Sequence, residues 1–490
     1  MASFHNLIIL GLGRGLQVVA GLVTIKLATT LLSPAEIGTM NQVMSLAILG
    51  PSALLAPVAL YIHRGLFEWV DAGVVSARLT SYLLLVLTAA VILGLAAWAL
   101  QYQLVLVSGI GPVWVGALVA LYLLGYSTHT MAASAFVLLG YRITYVVFSN
   151  LAVWGGLAFA FYLSLDHARP ETWLLGILGG FLVSSCSYVL LYRYTRTDSP
   201  SISTSTATRP VLPFDWQSVL MFAWPQALAF GLWWIQSQSY RFILDWVADI
   251  ANVGLFAAGY MICSVPIQTF ETLFNEFYAP TLFHAFKGQD AAGMARAWNA
   301  YARAYIPAVI LFGSFMAGNA SFLVKLVLGE QFQAVTSILI WAALTETMRA
   351  VSSSLHMLGV AKVDMTVNLL PVVVGAVVAP TMVFLLAPHD PLLGTAIALF
   401  VASGAGLATV IPVSYRALPV IWPTRHIVTA LVLGLPLGLM GYIVGASLGE
   451  LTEGKAVMAL AVSGLTMLLL QYSVGKKWLR GVYPSAGAGK

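Results

Sequence analysis

The sequence predicts an all-α polytopic membrane protein of about 14 transmembrane helices, in two pseudo-symmetric six-helix lobes followed by two C-terminal helices. Charged residues make up only 8% of the 490 residues, hydrophobic residues make up 60%, and the mean hydropathy is +0.90. Soluble domains carry roughly 25% charged residues. Long apolar runs follow one another along the chain, and a polar segment with a short internal repeat divides them into two sets.

Each apolar run is long enough for a membrane-spanning helix, which needs about 20 mostly apolar residues. Most connections between the runs are short, so no loop has room for an extramembrane domain. The fourteen predicted helices cover residues 7–31, 37–62, 78–100, 112–138, 144–164, 173–192, 217–247, 252–283, 301–327, 334–358, 365–387, 391–415, 426–448 and 455–475.

The longest polar connection is RYTRTDSPSISTSTATRPVLPFDW, residues 193–216. It is rich in Ser, Thr and Pro, a composition typical of flexible linkers. We therefore predict an N-terminal lobe at 1–192 with helices 1–6, a cytoplasmic linker at 193–216, and a C-terminal lobe at 217–415 with helices 7–12. Residues 416–490 supply helices 13 and 14 and a cytoplasmic tail.

An internal repeat supports this division. The first helix of each lobe is followed by an acid-containing turn, an apolar residue and a glycine, at Ile37-Gly38 and Val253-Gly254. The two copies are 216 residues apart. Because six helices separate them, both copies enter the membrane from the same side, which is typical of a parallel repeat with the substrate site between the halves.

Basic residues set the orientation. With the N-terminus in the cytoplasm, 16 of the 23 Lys and Arg residues fall on the cytoplasmic side, and only Arg169, Lys325 and Lys455 fall on the far side. This asymmetry is the positive-inside pattern. It predicts an even helix count, with both termini cytoplasmic.

Several function classes are disfavoured. The net charge of +5 comes without a long basic run, so nucleic acid is not an expected partner. No metal-ligand spacing is present, and Cys186 and Cys263 both lie in apolar runs, so neither a metal site nor a disulfide is expected. A membrane enzyme usually needs a sizeable outer loop, and the longest one, SLDHARPETW at 164–173, is too small for catalytic residues.

Three stretches carry a resemblance to a known family. They are LATTLLSPAEIGTMNQVMSLAILG at 27–50, YIHRGLFE at 61–68, and YAPTLFHAFKGQDAAGMARAWNAYARAY at 278–305. They resemble polysaccharide flippases of the Wzx type, within the multidrug/oligosaccharidyl-lipid/polysaccharide (MOP) exporter superfamily. The resemblance implies a lumen between two lobes, alternating access and a lipid-diphosphate-linked glycan as cargo, without a cofactor.

We single out seven ionisable residues within predicted spans, where each charge costs roughly 2.5–3.5 kcal/mol on insertion scales. Such charges are tolerable if they face a water-filled cavity or each other, whereas the alternative is snorkelling to an interface or structural pairing. The seven are Arg14, Lys26, Arg241, Glu271, Glu276, Glu346 and Arg349.

The cations are our candidate substrate ligands. Arg14 lies in the inner half of helix 1, where it would meet an anionic head group, and Lys26 lies near the outer end of the same helix. Arg241 lies at a height similar to Lys26 in the second lobe, counted from the repeat glycines. Helical spacing places Trp234 and Gln238 on the face of Arg241, a combination suited to sugars. An aromatic belt at the membrane interface is the alternative.

Helix 10 carries a polar stripe with Glu346 and Arg349, which can pair at i,i+3. Arg349 is a further candidate substrate ligand. Glu346, together with Glu271 and Glu276 on helix 8, is a candidate for gating or for coupling to H+ or Na+. The alternative is an ion pair that only packs the helices.

The favoured function is a flippase in a bacterial cytoplasmic (inner) membrane, for O-antigen or exopolysaccharide biosynthesis. Its partners would be a lipid-linked glycan and membrane lipids, with a polysaccharide polymerase and glycosyltransferases as neighbours in the pathway. A cation-coupled exporter of small organic molecules is the alternative. The sequence leaves open the glycan, the lipid carrier, the coupling ion and the oligomeric state.

The topology is directly testable. We expect reporter fusions after Lys490 and within residues 193–216 to report a cytoplasmic location, because the basic residues cluster on that side. A periplasmic signal from either fusion would show that the helix count is wrong.

Overall fold

The computed structural model describes residues 4–71, 75–197, 216–287, 290–362, 369–447 and 452–479. Regular structure in these ranges is helical throughout, with seventeen α-helices, one π-helical turn and one 3-10 turn. The α-helices are α1 Phe4–Leu31, α2 Pro34–Gly50, α3 Ala56–Asp71, α4 Val75–Leu104, α5 Pro112–Leu138, α6 Arg142–Leu163, α7 Pro170–Thr197, α8 Trp216–Gln238, α9 Tyr240–Val247, α10 Ile250–Lys287, α11 Ala291–Gly318, α12 Ala320–Val327, α13 Thr336–Lys362, α14 Leu369–Leu386, α15 Pro391–Ala417, α16 Thr424–Ser447 and α17 Glu453–Leu479.

Fourteen helical segments of the described chain are long and apolar enough to cross a membrane. The prediction of an all-α polytopic fold with about 14 spans is therefore confirmed. Two spans consist of more than one helix: the second, Pro34–His63, and the seventh, Trp216–Val247. In the second span the π-helical turn Pro51–Leu55 separates α2 from α3. Proline has no amide hydrogen to donate, so a break in helical hydrogen bonding at Pro51 is expected.

The turns of the predicted repeat both cap the helix that follows. Before α2, the backbone amide and hydroxyl of Ser33 each donate to Glu36 at 2.8 Å, as in a capping box. Before α10, Asp249 accepts from the backbone amide of Asn252 at 2.7 Å. Each acid therefore accepts from a backbone amide at a helix start, Glu36 from inside the first turn of α2 and Asp249 from the position before α10.

The chain divides into two compact units. The first contains residues 1–24 and 38–234, and the second contains residues 25–37 and 235–490. Helices α1, α2 and α8 each supply residues to both units. Most of the predicted linker, residues 198–215, lies outside the described residues, as does the predicted tail after residue 479. The domain boundaries drawn from the sequence stay a prediction.

Glycines allow the closest helix packing within each unit. In the first unit α6 packs on α7, and a Cβ on Gly180 would lie 2.2 Å from the backbone oxygen of Ala152. In the second unit α11 packs on α16, and a Cβ on Gly318 would lie 2.3 Å from the backbone oxygen of Gly438. Small residues bring backbones together in membranes because lipid provides no hydrophobic force between helices.

The C-terminal helices α16 and α17 are part of the second unit. Besides the glycine contact of α16, polar contacts attach α17 at two further positions. The hydroxyl of Ser463 donates to Asn319 at 2.9 Å, and the amide of Gln471 donates to the carbonyl oxygen of Ala308 at 3.4 Å. In lipid, such hydrogen bonds hold a largely exposed helix in a defined register.

The packing of α6 on α7 gives a test with a matched control. Gly180→Ala should destabilise the protein by about 1–3 kcal/mol, because the added methyl group overlaps backbone atoms of α6. Gly179→Ala on the same helix should be close to neutral, since its nearest contact would be an ordinary 3.6 Å to Phe159. Melting temperature in detergent measures the difference. Equal melting temperatures for both variants would show that this contact is not close-packed.

Candidate functional site

Arg14 on α1 is held against α6 in the first unit. Its guanidinium donates to Gln17 Oε1 at 2.9 Å and to the hydroxyl of Tyr145, and its Cζ lies 5.5 Å from the centroid of the Tyr145 ring. The two helices meet closely because Gly13 has no side chain: a Cβ there would lie 2.7 Å from Val146. Two neutral acceptors and an aromatic ring thus orient Arg14.

Arg241 at the start of α9 has a similar environment in the second unit. It donates to Gln238 Oε1, and its Cζ lies 5.1 Å from the centroid of the Tyr240 ring. The indole of Trp234 donates to the carbonyl oxygen of Ser45 at 2.6 Å, and both of these residues belong to the first unit. The structure therefore brings Gln238 and Arg241 together, whereas Trp234 packs on α2.

Lys26 belongs to the second unit and has two oxygen partners. Its ammonium donates to the carbonyl oxygen of Leu328 at 3.0 Å and lies 3.6 Å from the carboxylate of Glu453, at the start of α17. Leu328 follows the last residue of α12, where helix carbonyls are unsatisfied and a cation is favourable. Close by, Gly329 donates its amide to the hydroxyl of Thr29 at 3.0 Å, which attaches the end of α1 to the same turn.

Arg349 on α13 joins two carboxylates. Its Nε donates to Glu346 at 2.7 Å, the pairing expected at i,i+3, and its terminal nitrogen donates to Glu271 of α10 at 2.8 Å. The side chain of Glu346 is only 2% exposed, while that of Arg349 is 26% exposed. Two carboxylates and one guanidinium give this cluster a formal charge of −1 when all three groups are ionised.

Two neutral residues complete the cluster around Glu346. The hydroxyl of Tyr260 donates to Glu346 at 2.7 Å, and the amide of Gln268 donates to it at 3.5 Å. Both side chains come from α10, which corresponds to predicted helix 8. The polar stripe that predicted Glu346 and Arg349 lies on α13, so it gave no indication of them. Glu276 is half-buried on α10, five residues after Glu271.

Sequence reasoning also missed the acceptors of Arg14. The contact with Gln17 could have been predicted, because Gln17 lies three residues after Arg14 and therefore on the same helix face. Tyr145 carries none, since it is 131 residues away and its neighbourhood depends on how α1 packs on α6.

The contacts given above differ among the four candidate cations. Lys26 and Arg349 contact carboxylates, which neutralise positive charge. Arg14 and Arg241 contact glutamine oxygens and tyrosine rings, which orient a guanidinium and add no charge. Chemically, carboxylates beside a cation suit structural pairing or the binding of a small cation, and an amide or hydroxyl oxygen orients a guanidinium without adding a negative charge.

A comparison with protein families gives one match over part of the chain. A family model described as polysaccharide biosynthesis protein matches residues 197–337. No curated protein matches the chain in sequence.

Solved structures show the fold. The lipid II flippase MurJ in an inward closed conformation aligns with a TM-score of 0.70 at 10% identity, over 97% of this chain and 99% of that one. The eukaryotic MATE transporter AtDTX14 aligns at 0.55 and 14% identity, over 87% and 96%. A MOP superfamily transporter from Pyrococcus furiosus, described as having a binding pocket of reverse polarity, aligns at 0.55 and 14% identity, over 90% and 95%.

The chain therefore has the fold of these membrane transporters. The family model and the shared fold support the resemblance to Wzx-type polysaccharide flippases of the MOP superfamily that the sequence motifs carry.

The carboxylate cluster makes a stability prediction. Arg349→Met should destabilise the protein by about 3–5 kcal/mol, because it leaves two buried carboxylates without their cation. Adding Glu271→Gln and Glu346→Gln to the same protein should restore much of this loss. Membrane abundance and melting temperature measure both effects.

Arg296→Met is the matched control. Arg296 is 74% exposed and pairs with Asp290 at 3.6 Å, so its loss should cost less than about 1 kcal/mol. If Arg349→Met melts like Arg296→Met, the buried cluster does not stabilise the fold.

Proposed function

We propose that the protein is a flippase that moves a lipid-diphosphate-linked oligosaccharide from the inner to the outer leaflet of the bacterial cytoplasmic membrane by alternating access. The observation that carries this proposal is the pair of arginines, Arg14 and Arg241, each oriented inside a membrane span by a glutamine and a tyrosine. The match of residues 197–337 to a polysaccharide biosynthesis family and the fold shared with a lipid II flippase support it.

A diphosphate explains why arginine is needed within an apolar span. The head group brings about two negative charges into a low-dielectric path, and charge-assisted hydrogen bonds from a planar guanidinium offset their desolvation. A negative-inside membrane potential also favours outward movement of an anion, by about 2.3 kcal/mol per charge per 100 mV. In this scheme Arg14 meets the head group toward the cytoplasmic side and Arg241 nearer the outer side.

Lys26 and Arg349 have a different role in this scheme. Their contacts with Glu453 and with Glu271 and Glu346 already provide a negative counter-charge. We infer that Lys26 attaches α17 and that Arg349 holds the carboxylate cluster. Trp234 and Gln238 remain candidates for contacts to the glycan, through an aromatic face and an amide.

Cation coupling is assigned to the carboxylate cluster. With its formal charge of −1, the cluster is neutralised by one proton or one sodium ion, which would bind near Glu346 and Glu271. Because these side chains join α10 to α13, uptake of the ion changes the electrostatic attraction between the two helices. Flipping by the purified protein in liposomes, with a proton or a sodium gradient in turn, distinguishes the two ions. A flipping rate that is the same with either gradient and without one would rule out coupling.

In the cell, the product would supply O-antigen or exopolysaccharide assembly, with glycosyltransferases acting before the flippase and a polymerase after it. Loss of the protein should therefore reduce the surface glycan and leave undecorated lipid-linked repeats on the inner leaflet. A normal surface glycan with altered drug resistance would instead favour the alternative, a cation-coupled exporter of small organic molecules.

Substitution of the arginines tests the proposal directly. In cells lacking the natural protein, Arg14→Ala and Arg241→Ala should each lower surface glycan about tenfold or more at unchanged membrane abundance, because a charged hydrogen-bonding group is lost. Arg14→Lys should lie in between, since a point charge replaces a bidentate fork. Arg296→Ala, on an exposed position, serves as the control. Normal transport by both alanine variants at normal abundance would refute the cationic contact.

A further inference from the structure

We propose that the second unit binds the head group of an anionic membrane phospholipid at the start of α16, on the predicted cytoplasmic side. The site is formed by Arg303 on α11 together with Arg425 and His426 in the first turn of α16. This inference goes beyond the transport of a glycan and does not depend on it, because it concerns a lipid that stays in the membrane.

Close packing of α11 on α16 brings these residues to the same level. A Cβ on Gly318 would lie 2.3 Å from the backbone oxygen of Gly438, and a Cβ on Gly434 would lie 2.7 Å from Ser314. In both contacts the residue of α16 is numbered 120 higher than its partner on α11, so the two helices run parallel. At this offset the position opposite Arg303 is the one immediately before α16.

The segment that leads into α16 is fixed against α11. Asn299, one helical turn before Arg303, accepts from the backbone amide of Ile421 at 2.8 Å. The backbone amide of His426 then donates to the carbonyl oxygen of Pro423 at 2.9 Å, as the chain turns into the helix. The first turn of α16 is therefore held at a defined position beside Arg303.

Two guanidinium groups and an imidazole meet at this position. Arg303 and Arg425 are both within electrostatic range of the imidazole of His426. Among the described residues, neither of these arginines forms an ion pair with a carboxylate. Like charges repel one another, so an anion placed between them lowers the electrostatic energy of the cluster. Basic clusters between transmembrane helices on the cytoplasmic side are typical head-group sites for anionic lipids.

An exposed apolar face continues from this basic cluster along α16. Val428, Val432 and Leu435 are each more than half exposed. They lie three, seven and ten residues after Arg425, and therefore on the same face of the helix. A lipid whose phosphate contacts Arg425 would place its acyl chains along these side chains. The continuity of charged and apolar surface favours a membrane lipid over free phosphate as the occupant.

The burial of Arg303 distinguishes the site from a surface that is only basic. Arg303 is half-buried, whereas Arg296 on the same helix is exposed and pairs with Asp290 at 3.6 Å. A partly desolvated cation attracts an anion more strongly than a cation in bulk water does. Its guanidinium can also donate two parallel hydrogen bonds to one phosphate. We therefore expect Arg303 to contribute more to lipid binding than Arg296.

The test measures lipid binding by the full-length purified protein in detergent. Fluorescent phosphatidylglycerol is the anionic probe, and phosphatidylcholine with the same acyl chains and fluorophore is the zwitterionic comparison. The wild-type protein should bind phosphatidylglycerol more tightly than phosphatidylcholine. Arg303→Gln and Arg425→Gln should each weaken binding of phosphatidylglycerol by roughly fivefold, because each removes one cation from the head-group site. Equal affinity of the wild-type protein for the two lipids would overturn the proposal.

Arg296→Gln is the matched control, since it removes a positive charge from the same helix outside the site. It should leave the dissociation constant for phosphatidylglycerol unchanged, and a loss equal to that of Arg303→Gln would overturn the site in favour of a general charge effect. Melting temperatures of the lipid-free variants separate lost binding from lost folding. If Arg303→Gln melts early, Arg425→Gln at an exposed position decides, because normal lipid binding by this folded variant contradicts the proposal.

Two further ligands identify the source of the phosphate. A polyprenyl-diphosphate disaccharide should bind equally to the wild-type protein and to the double variant Arg303→Gln/Arg425→Gln. A loss equal to that for phosphatidylglycerol would show that the site takes the transported lipid, and full displacement of phosphatidylglycerol by inorganic phosphate would show a plain phosphate site. Either result overturns the assignment to a membrane phospholipid. Failure of the flippase proposal leaves the phosphatidylglycerol measurement unaffected, because that lipid is not the cargo.

Discussion

The cost of placing a charge in hydrocarbon is the constraint on which the rest of this structure depends. Each cation within a span needs nearby groups that offset the loss of water. The protein meets this need in two ways. Carboxylates accompany Lys26 and Arg349, whereas glutamine and tyrosine side chains accompany Arg14 and Arg241. Both kinds of group offset part of the desolvation of a cation, carboxylates by their charge and neutral side chains by hydrogen bonds and a ring face.

Much of the fold could be predicted from sequence because the bilayer makes hydropathy a direct readout of spans. Each predicted span is a continuous apolar run of sufficient length, and the fourteen runs correspond to fourteen apolar helical segments of the described chain. The repeat turns are equally local, since Ser33 with Glu36 and Asp249 with Asn252 lie three residues apart. Breaks in helical hydrogen bonding within a span, such as the π-helical turn Pro51–Leu55, could not be predicted, because hydropathy carries no information on the hydrogen-bond pattern.

The partners of the candidate site residues were harder to predict, since most are distant in the chain. Helical spacing suffices for Glu346 with Arg349 and for Gln17 with Arg14. Glu271, in contrast, is 78 residues from Arg349, and the carbonyl that Lys26 contacts is 302 residues away. Sequence position indicates that a charge lies in the membrane, but its role depends on the helix that packs against it. For this reason four cations that look alike in the sequence have different contacts in the structure.

Lys26 and Arg241, which the predicted repeat would place at equivalent positions, have different contacts. The two residues lie at similar distances from the repeat glycines, yet Lys26 contacts Glu453 and the end of α12, whereas Arg241 contacts Gln238 and the ring of Tyr240. Glu453 comes from α17, so a helix outside the predicted repeat contributes to the environment of Lys26. The contacts of a cation within a span therefore depend on the helix that packs against it, and its distance from the repeat glycines does not determine them.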